Sequence, residues 1–132
     1  MALKFPGGAP SDDEAWSERW RRWLGDLGEW LNSQNENTAH TLAASATTFK
    51  AASNLMTITG DGGGNTIATI TEGDNGQFLT LIFVDGNVTI TDTAGHTTNT
   101  IDLSAAFTSA DDTVLQLVFD NTSWYEVSRS VN

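Results

Sequence analysis

Cysteine is absent from this chain of 132 residues, basic residues are few, and no apolar run is long. Without cysteine, disulfide bonds, thiolate zinc sites and cysteine nucleophiles are excluded. The 6 Lys and Arg residues stand against 17 Asp and Glu, which gives a net charge of −11. Because phosphate contacts require clustered Lys and Arg, we expect no nucleic acid and no membrane among the partners. No apolar run approaches the roughly 20 residues that a membrane-spanning helix needs.

Recognisable catalytic motifs are missing as well. The sequence has no Gly-x-Ser-x-Gly elbow, no His-Glu-x-x-His pair and no Walker loop. His40 has no partner at metal-ligand spacing, and no nucleophile or orienting group accompanies His96. We therefore expect no enzyme, no metal site and no cofactor. A glycan-active enzyme would need two acidic residues about 5–10 Å apart in a cleft, and the acids here fall mainly in turns.

The chain changes character near residue 50. Residues 1–50 carry five basic and seven acidic side chains, whereas residues 51–132 carry one basic residue, Arg129, and ten acidic ones. Four of the five Trp residues lie within residues 16–30, and the second half is rich in Thr, Gly, Asp and Asn. We therefore divide the chain into an extended arm at 1–10, an amphipathic helix and neck at 11–50, and a β region at 51–132.

Local signals mark the arm and the start of the helix. Pro6, Pro10 and the two glycines between them prevent helix, and Phe5 is an apolar anchor within the arm. Ser11 and Glu14 form an S-x-x-E capping box, in which each side chain accepts a hydrogen bond from a backbone N–H of the first turn. This pair predicts that the helix begins at residue 11.

Apolar residues of the helix recur at the spacing of a coiled-coil seam. Separations of 4, 3, 4 and 3 residues connect Trp16, Trp20, Trp23, Leu27 and Trp30, and Leu24 and Leu31 widen the stripe on one flank. Each Trp would bury on the order of 150–250 Å², which a lone helix cannot achieve. The stripe therefore predicts a contact with copies of itself, the β region, another protein or a lipid surface. Acidic neighbours offset the three Arg residues of the helix, which disfavours the lipid surface.

Residues 32–54 are weakly patterned. After Leu31 the seam turns polar, and polar seam residues lower stability but fix the register. We interpret this segment as a continued or frayed helix followed by a neck that ends before Phe49.

From residue 55 onward, apolar and polar residues alternate with the period of β-strands, and turns rich in Gly, Asp and Asn separate the segments. The predicted strands are residues 55–59, 66–71, 77–84, 87–91, 100–103, 114–119 and 124–128. The predicted inward-facing core comprises Leu79, Leu81, Phe83, Val88, Ile90, Ile101, Leu103, Leu115, Leu117 and Phe119. Thr89, Thr91 and Gln116 are predicted to face outward.

The β region contains a faint internal echo. Residues 79–83 (LTLIF) match residues 115–119 (LQLVF), and an Asp opens a turn soon after each. Two copies do not establish a solenoid. They fit either a barrel-like module or a short stack of strands wound about a common axis.

Five segments of the second half form one pattern: residues 77–83 (QFLTLIF), 88–92 (VTITD), 101–103 (IDL), 112–120 (DTVLQLVFD) and 124–130 (WYEVSRS). Together they resemble the C-terminal β module of tailed-bacteriophage structural proteins. The closing WYEVSRS is the most specific of them, and the resemblance covers about residues 66–131. The pattern recurs in trimeric head decoration proteins, head fibres, and tail fibres or spikes. The resemblance implies a homotrimeric virion protein without catalytic residues, and it does not include the helix.

The expected fold is mainly β with an N-terminal α-helix: a trimer whose coiled-coil-like stem or anchor precedes a barrel-like or β-prism module of short strands. The expected function is that of a capsid decoration protein of the cement or head-fibre type, because the chain is short for a fibre that reaches from tail to host. Its partners would be copies of itself and the major capsid protein or another virion protein. A short tail fibre or receptor-binding tip that contacts host glycan is the alternative. The expected trimer or capsid interface comprises Phe5, Trp16, Trp20, Trp23, Leu27, Trp30 and Leu31.

Overall fold

The computed structural model describes residues 16–130, which form one helix followed by eleven strands. The helix α1 spans Trp16–Asn35, and a single residue, Glu36, separates it from the first strand. The strands are β1 (Asn37–Thr41), β2 (Thr48–Lys50), β3 (Leu55–Thr59), β4 (Asn65–Ile67), β5 (Thr69–Thr71), β6 (Phe78–Phe83), β7 (Val88–Ile90), β8 (Ile101–Asp102), β9 (Phe107–Thr108), β10 (Val114–Phe119) and β11 (Trp124–Ser130). The predicted arm with Phe5 and the predicted helix start at Ser11 lie outside the described residues. The fold is therefore mainly β with one N-terminal helix.

The eleven strands wind around a common axis and form three sheets, one on each side of a three-sided body that is called the coil below. One sheet has the order β1-β3-β6-β10-β11-β8, a second pairs β2 with β5, and a third has the order β4-β7-β9. The strands β1, β3 and β6 run parallel, as do β2 with β5 and β4 with β7. The chain visits the sheets in turn and lays each new strand parallel to the strand of the previous pass. This arrangement resembles a β-solenoid, in which each pass contacts only its neighbours.

The last strands reverse direction and close the coil. Strand β10 is antiparallel to both β6 and β11, and β9 is antiparallel to β7. The two echoed segments are therefore direct neighbours, with Leu115 opposite Leu81 and Leu117 opposite Leu79. Their similarity reflects burial on the same side of adjacent antiparallel strands, and it does not mark two successive passes of the coil.

A single apolar core fills the interior of the coil. All ten side chains that the alternation predicts to face inward are buried, including Phe83, Leu103 and Phe119. Further core residues lie outside the predicted set, and these are Leu42, Phe49, Met56, Ile58, Ile67, Ile70, Phe107 and Trp124. Trp124 is fully buried, and its indole Nε1 donates a hydrogen bond to the carbonyl oxygen of Ile70 at 2.9 Å. Burial of an aromatic ring together with its polar atom requires such a partner.

The interpretation of residues 32–54 as a continued or frayed helix followed by a neck is correct only as far as Asn35. The helix ends at Asn35, and two strands, β1 and β2, follow before residue 51. Strand β1 buries little, because only Thr38 and His40 are half-buried and the residues between them are exposed. Its conformation comes from parallel pairing with β3, from Asn37 opposite Leu55 to Thr41 opposite Thr59. A polar edge strand held by backbone hydrogen bonds has no apolar alternation to reveal it.

The predicted strand at 66–71 is in fact two strands on two sheets. Ile67 and Ile70 both point into the core, and they are three residues apart, which breaks the period of 2 that one strand requires. Ala68 lies at the corner, and its backbone N–H donates to the carbonyl oxygen of Thr47 at 2.9 Å. Strand β9, also outside the prediction, is only two residues long.

Candidate interaction surfaces

The most apolar surface of α1 is a stripe formed by Trp20, Trp23, Leu27 and Trp30, called the Trp stripe below. These four side chains are half-buried, and the rings of Trp20 and Trp23 meet edge to face with centroids 5.5 Å apart. Trp16 is the first residue of the helix, and its side chain lies outside the description. Within the described residues, α1 makes no extensive contact with any strand. The stripe is thus not part of the core of the coil.

Two further apolar side chains flank the Trp stripe. Leu24 is 54% exposed and Leu31 is 49% exposed, as expected for residues at the margin of a helical stripe. The charges of the helix cancel, because residues 16–35 contain three Arg residues and three acidic residues, Glu18, Asp26 and Glu29. This neutral helix joins a β region in which residues 51–132 carry ten acidic side chains and one basic one. Within residues 16–130, no helix combines the length and the apolar character needed to cross a bilayer.

An open groove of about 450 Å³ lies between β8 and β11. Its lining includes Asp102, Ser104, Tyr125 and Glu126. Glu126 accepts two hydrogen bonds from Arg129, with Nη2 to Oε2 at 2.8 Å, and two from the backbone N–H and hydroxyl of Ser104, at 2.8 and 3.0 Å. The Arg129 hydrogen bonds, with those from Ser104, lower the pKa of Glu126 to about 2. A carboxylate held ionised and saturated with donors has no role as a general acid.

Arg129 also holds the chain segment after β8. Its Nη2 donates to the carbonyl oxygen of Ala105 at 2.7 Å, and its guanidinium lies 5.4 Å from the centroid of the buried Phe107 ring. The hydrogen bond to Glu126 raises the pKa of Arg129. Planar bidentate pairing with a carboxylate is a property of Arg that Lys lacks. This ion pair therefore fastens β11 to the segment that contains Ser104 and Phe107.

An aromatic pair stands at one end of the same groove. Tyr125 Oη and His96 Nδ1 share a hydrogen bond, and their rings stack with centroids 6.2 Å apart. Asp120 Oδ2 lies 3.5 Å from His96 Nδ1. Hydrogen bonds from the backbone N–H groups of Ser123 and Thr122 lower the pKa of Asp120. Burial and the nearby charges of Asp120 and Asp102 raise the pKa of Tyr125.

The aromatic pair and the Glu126–Arg129 ion pair were not predicted as sites. Arg129 is the only Lys or Arg of residues 51–132, so any Lys or Arg ion pair within that segment must use it. Tyr125 and His96 are 29 residues apart, so no local spacing could have joined them. In the part of the chain that the structure describes, no three His, Asp or Glu side chains converge as a metal site would require.

No protein-family model matches the chain, and no curated protein sequence is significantly similar to it.

Proposed function

We propose that this chain is a bacteriophage virion structural protein, a homotrimeric capsid decoration protein of the cement or head-fibre type. The arm and α1 attach it to the major capsid protein or another virion protein and join three copies. The acidic β region projects from the capsid surface. In this role the chain is not an enzyme and needs no cofactor.

The observation that carries this proposal is the Trp stripe. It presents three half-buried Trp side chains and Leu27 on one helix that makes no extensive contact with any strand within the described residues. Exposed apolar surface of this kind marks an interaction site, and Trp is the residue type most enriched in such contacts. The 4, 3, 4, 3 spacing from Trp16 to Trp30 suits a seam between like helices.

Decoration also fits the distribution of structure along the chain. A compact coil of three sides, stabilised by one core, gives a small projecting body, and the helix next to it gives an anchor. A protein that binds only the assembled shell stabilises that shell by mass action, and the effect grows with occupancy. Many small copies suit this role better than a few long ones.

The alternative is a short tail fibre or receptor-binding tip. The stacked pair of Tyr125 and His96 beside the groove, with Asp102 at its lining, favours this reading. Sugar rings stack on exposed aromatic faces, and carboxylates accept hydrogen bonds from sugar hydroxyl groups. In that case the β region would contact host glycan.

A double variant of the full chain, Trp20→Ala with Trp23→Ala, tests the proposal. We expect the wild-type chain to have the mass of a trimer by light scattering at micromolar concentration and to bind capsids that lack it. The double variant should lose both properties. The control, Glu29→Ala, changes a residue that lies about 140° around the helix from the stripe and should behave as wild type. A monomeric wild-type chain would contradict the homotrimer, and a few copies at the tail would favour the alternative.

A further inference from the structure

The outer surfaces of the three sheets differ in chemistry. On the two smaller sheets, outward positions are held by Thr almost throughout: Thr48, Thr69 and Thr71 on one, and Thr66, Thr89 and Thr108 on the other. Each of these alternates with buried apolar residues such as Phe49, Ile70 and Ile90. These two surfaces are therefore polar and suit contact with water.

The outer surface of the six-stranded sheet mixes polar residues, Thr57, Thr59, Thr80 and Gln116, with apolar side chains that line up across strands. Pairing aligns Phe78 of β6, Val118 of β10 and Tyr125 of β11 in one row across three strands. Ile82 and Val114 are paired in a second row. Leu55, on the outward side of β3, adds to this surface, which is called the apolar plate below. Phe78 is 55% exposed, so the plate is open to solvent in the single chain.

Four strands of the plate carry no charge on this surface, whereas Asp102, Glu126 and Arg129 lie at its β8–β11 margin. No outward side chain of β1, β3, β6 or β10 is ionisable, although the chain has a net charge of −11. The acidic residues of the β region fall mainly in the turns, as at Asp61, Asp85 and Asp112. Two strongly acidic bodies repel least where they meet through an uncharged surface. The absence of charge on these four strands thus fits a second copy of this same acidic chain as the occupant.

Connectivity places the plate beside the helix. Only Glu36 separates the end of α1 from β1, and β1 is the edge strand of the six-stranded sheet. Helices that associate through the Trp stripe would therefore bring the six-stranded sheets of neighbouring copies close together. The five strands β1, β3, β6, β10 and β11 cover about 19 Å by 17 Å, or roughly 320 Å² in plan. That is less than the roughly 800 Å² per partner of a stable interface, so the plate acts together with the helix.

We propose that the apolar plate packs against a neighbouring copy of this chain, as the second half of an interface that begins at the Trp stripe. This inference rests on the homotrimer of the proposed function. It assigns the six-stranded sheet to the inside of the assembly. The two Thr-rich surfaces then face outward.

Single cysteines in this cysteine-free chain test the orientation. Gln116→Cys lies in the middle of the plate on β10, and Thr89→Cys lies in the middle of a Thr-rich surface on β7, and both residues are half-buried in the single chain. We expect maleimide to modify the folded Gln116→Cys variant at least about tenfold more slowly than the Thr89→Cys variant. Both variants should have trimer mass before labelling, and both should react at equal rates in denaturant.

The outcomes separate this inference from the proposed function. A monomeric mass for the wild-type chain overturns the homotrimer and the inference with it. A trimer in which both cysteines react equally fast overturns the inference alone. As a second measurement, Val118→Glu should weaken self-association by about tenfold or more, whereas Thr89→Glu should not. Circular dichroism of both variants checks that the coil remains folded. Equal self-association of the two variants would contradict the proposed contact between the plate and a neighbouring copy.

Discussion

Gly73 shows how closely the chain packs at a corner of the coil. A Cβ atom at this position would lie 2.5 Å from Trp124 Cζ2 and 2.8 Å from Phe119 Cδ1. Both rings are buried, and their centroids are 4.7 Å apart. Neither ring can move without displacing the other. Glycine is therefore required here by close approach.

Gly73→Ala should destabilise the protein by about 1–3 kcal/mol, the usual effect of overpacking a core. For a domain of this size, that corresponds to a fall in Tm of about 4–12 °C. Gly62→Ala is the matched control, because nothing lies within 4 Å of a Cβ at that position. Thermal unfolding followed by circular dichroism measures both. Equal Tm values for the two variants would mean that the rings at this corner can move apart.

The Glu126–Arg129 pair links stability to pH. The folded state lowers the pKa of Glu126 from 4.5 to about 2, and its side chain is only 13% exposed. A depressed pKa contributes stability that is present above pH 4.5 and is lost as the pH falls toward 2. The contribution is about 1–3 kcal/mol, after allowance for the partly exposed Arg129.

Glu126→Gln should therefore lower the free energy of unfolding at pH 7 by about 1–3 kcal/mol, and the difference from wild type should shrink between pH 4.5 and 2. Urea unfolding at several pH values measures this difference. Glu72→Gln is the control, because Glu72 is exposed. A difference that stays constant from pH 7 to pH 2 would show that the charge of Glu126 is not what stabilises the pair.

At the scale of elements, the sequence predicts strands well where burial alternates. Strand β10 was predicted with its correct bounds, and β3 as well, because each alternates buried and half-buried residues. Strand β1 could not be predicted this way, since it is polar and held by its neighbour. The helix was recognised from the Trp spacing, but its end was not. Residues 32–38 are all polar, so no apolar residue shows where the helical period stops.

The two glycines of α1 test which face of the helix makes contact. Gly25 lies opposite the Trp stripe, Gly28 lies about 120° from it, and a Cβ at either position meets nothing within 4 Å. Gly25→Ala and Gly28→Ala should each stabilise the helix by about 1 kcal/mol and leave the mass of the assembly unchanged. Leu27→Ala, within the stripe, should weaken assembly. Loss of assembly in either glycine variant would place the contact on another face of the helix.

At the scale of the whole molecule, the sequence fits two architectures, a barrel-like module and a stack of strands wound about a common axis. The structure was needed to choose between them. Asn37 pairs with Leu55, and Leu55 pairs with Thr80, so successive passes differ in length. A constant repeat is what reveals a solenoid in a sequence, and this chain has none. The groove beside Tyr125 was equally hidden, because it lies between β8 and β11, which are distant in sequence and become neighbours only through strand pairing.

The charge of the chain sets how its self-association should respond to salt. Each copy carries a net charge of −11, so three copies that meet through the Trp stripe and the apolar plate repel one another. In the proposed trimer, the apolar stripe and the four uncharged strands of the plate offer few ion pairs between copies for salt to weaken. The Debye length falls from about 30 Å at 0.01 M salt to about 10 Å at 0.1 M.

We therefore expect the trimer to dissociate at higher protein concentration in 0.01 M salt than in 0.1 M salt. Sedimentation velocity over a dilution series at both salt concentrations measures this. A trimer that instead weakens as salt is added would mean that ion pairs hold the copies together, and it would contradict an interface built from the stripe and the plate.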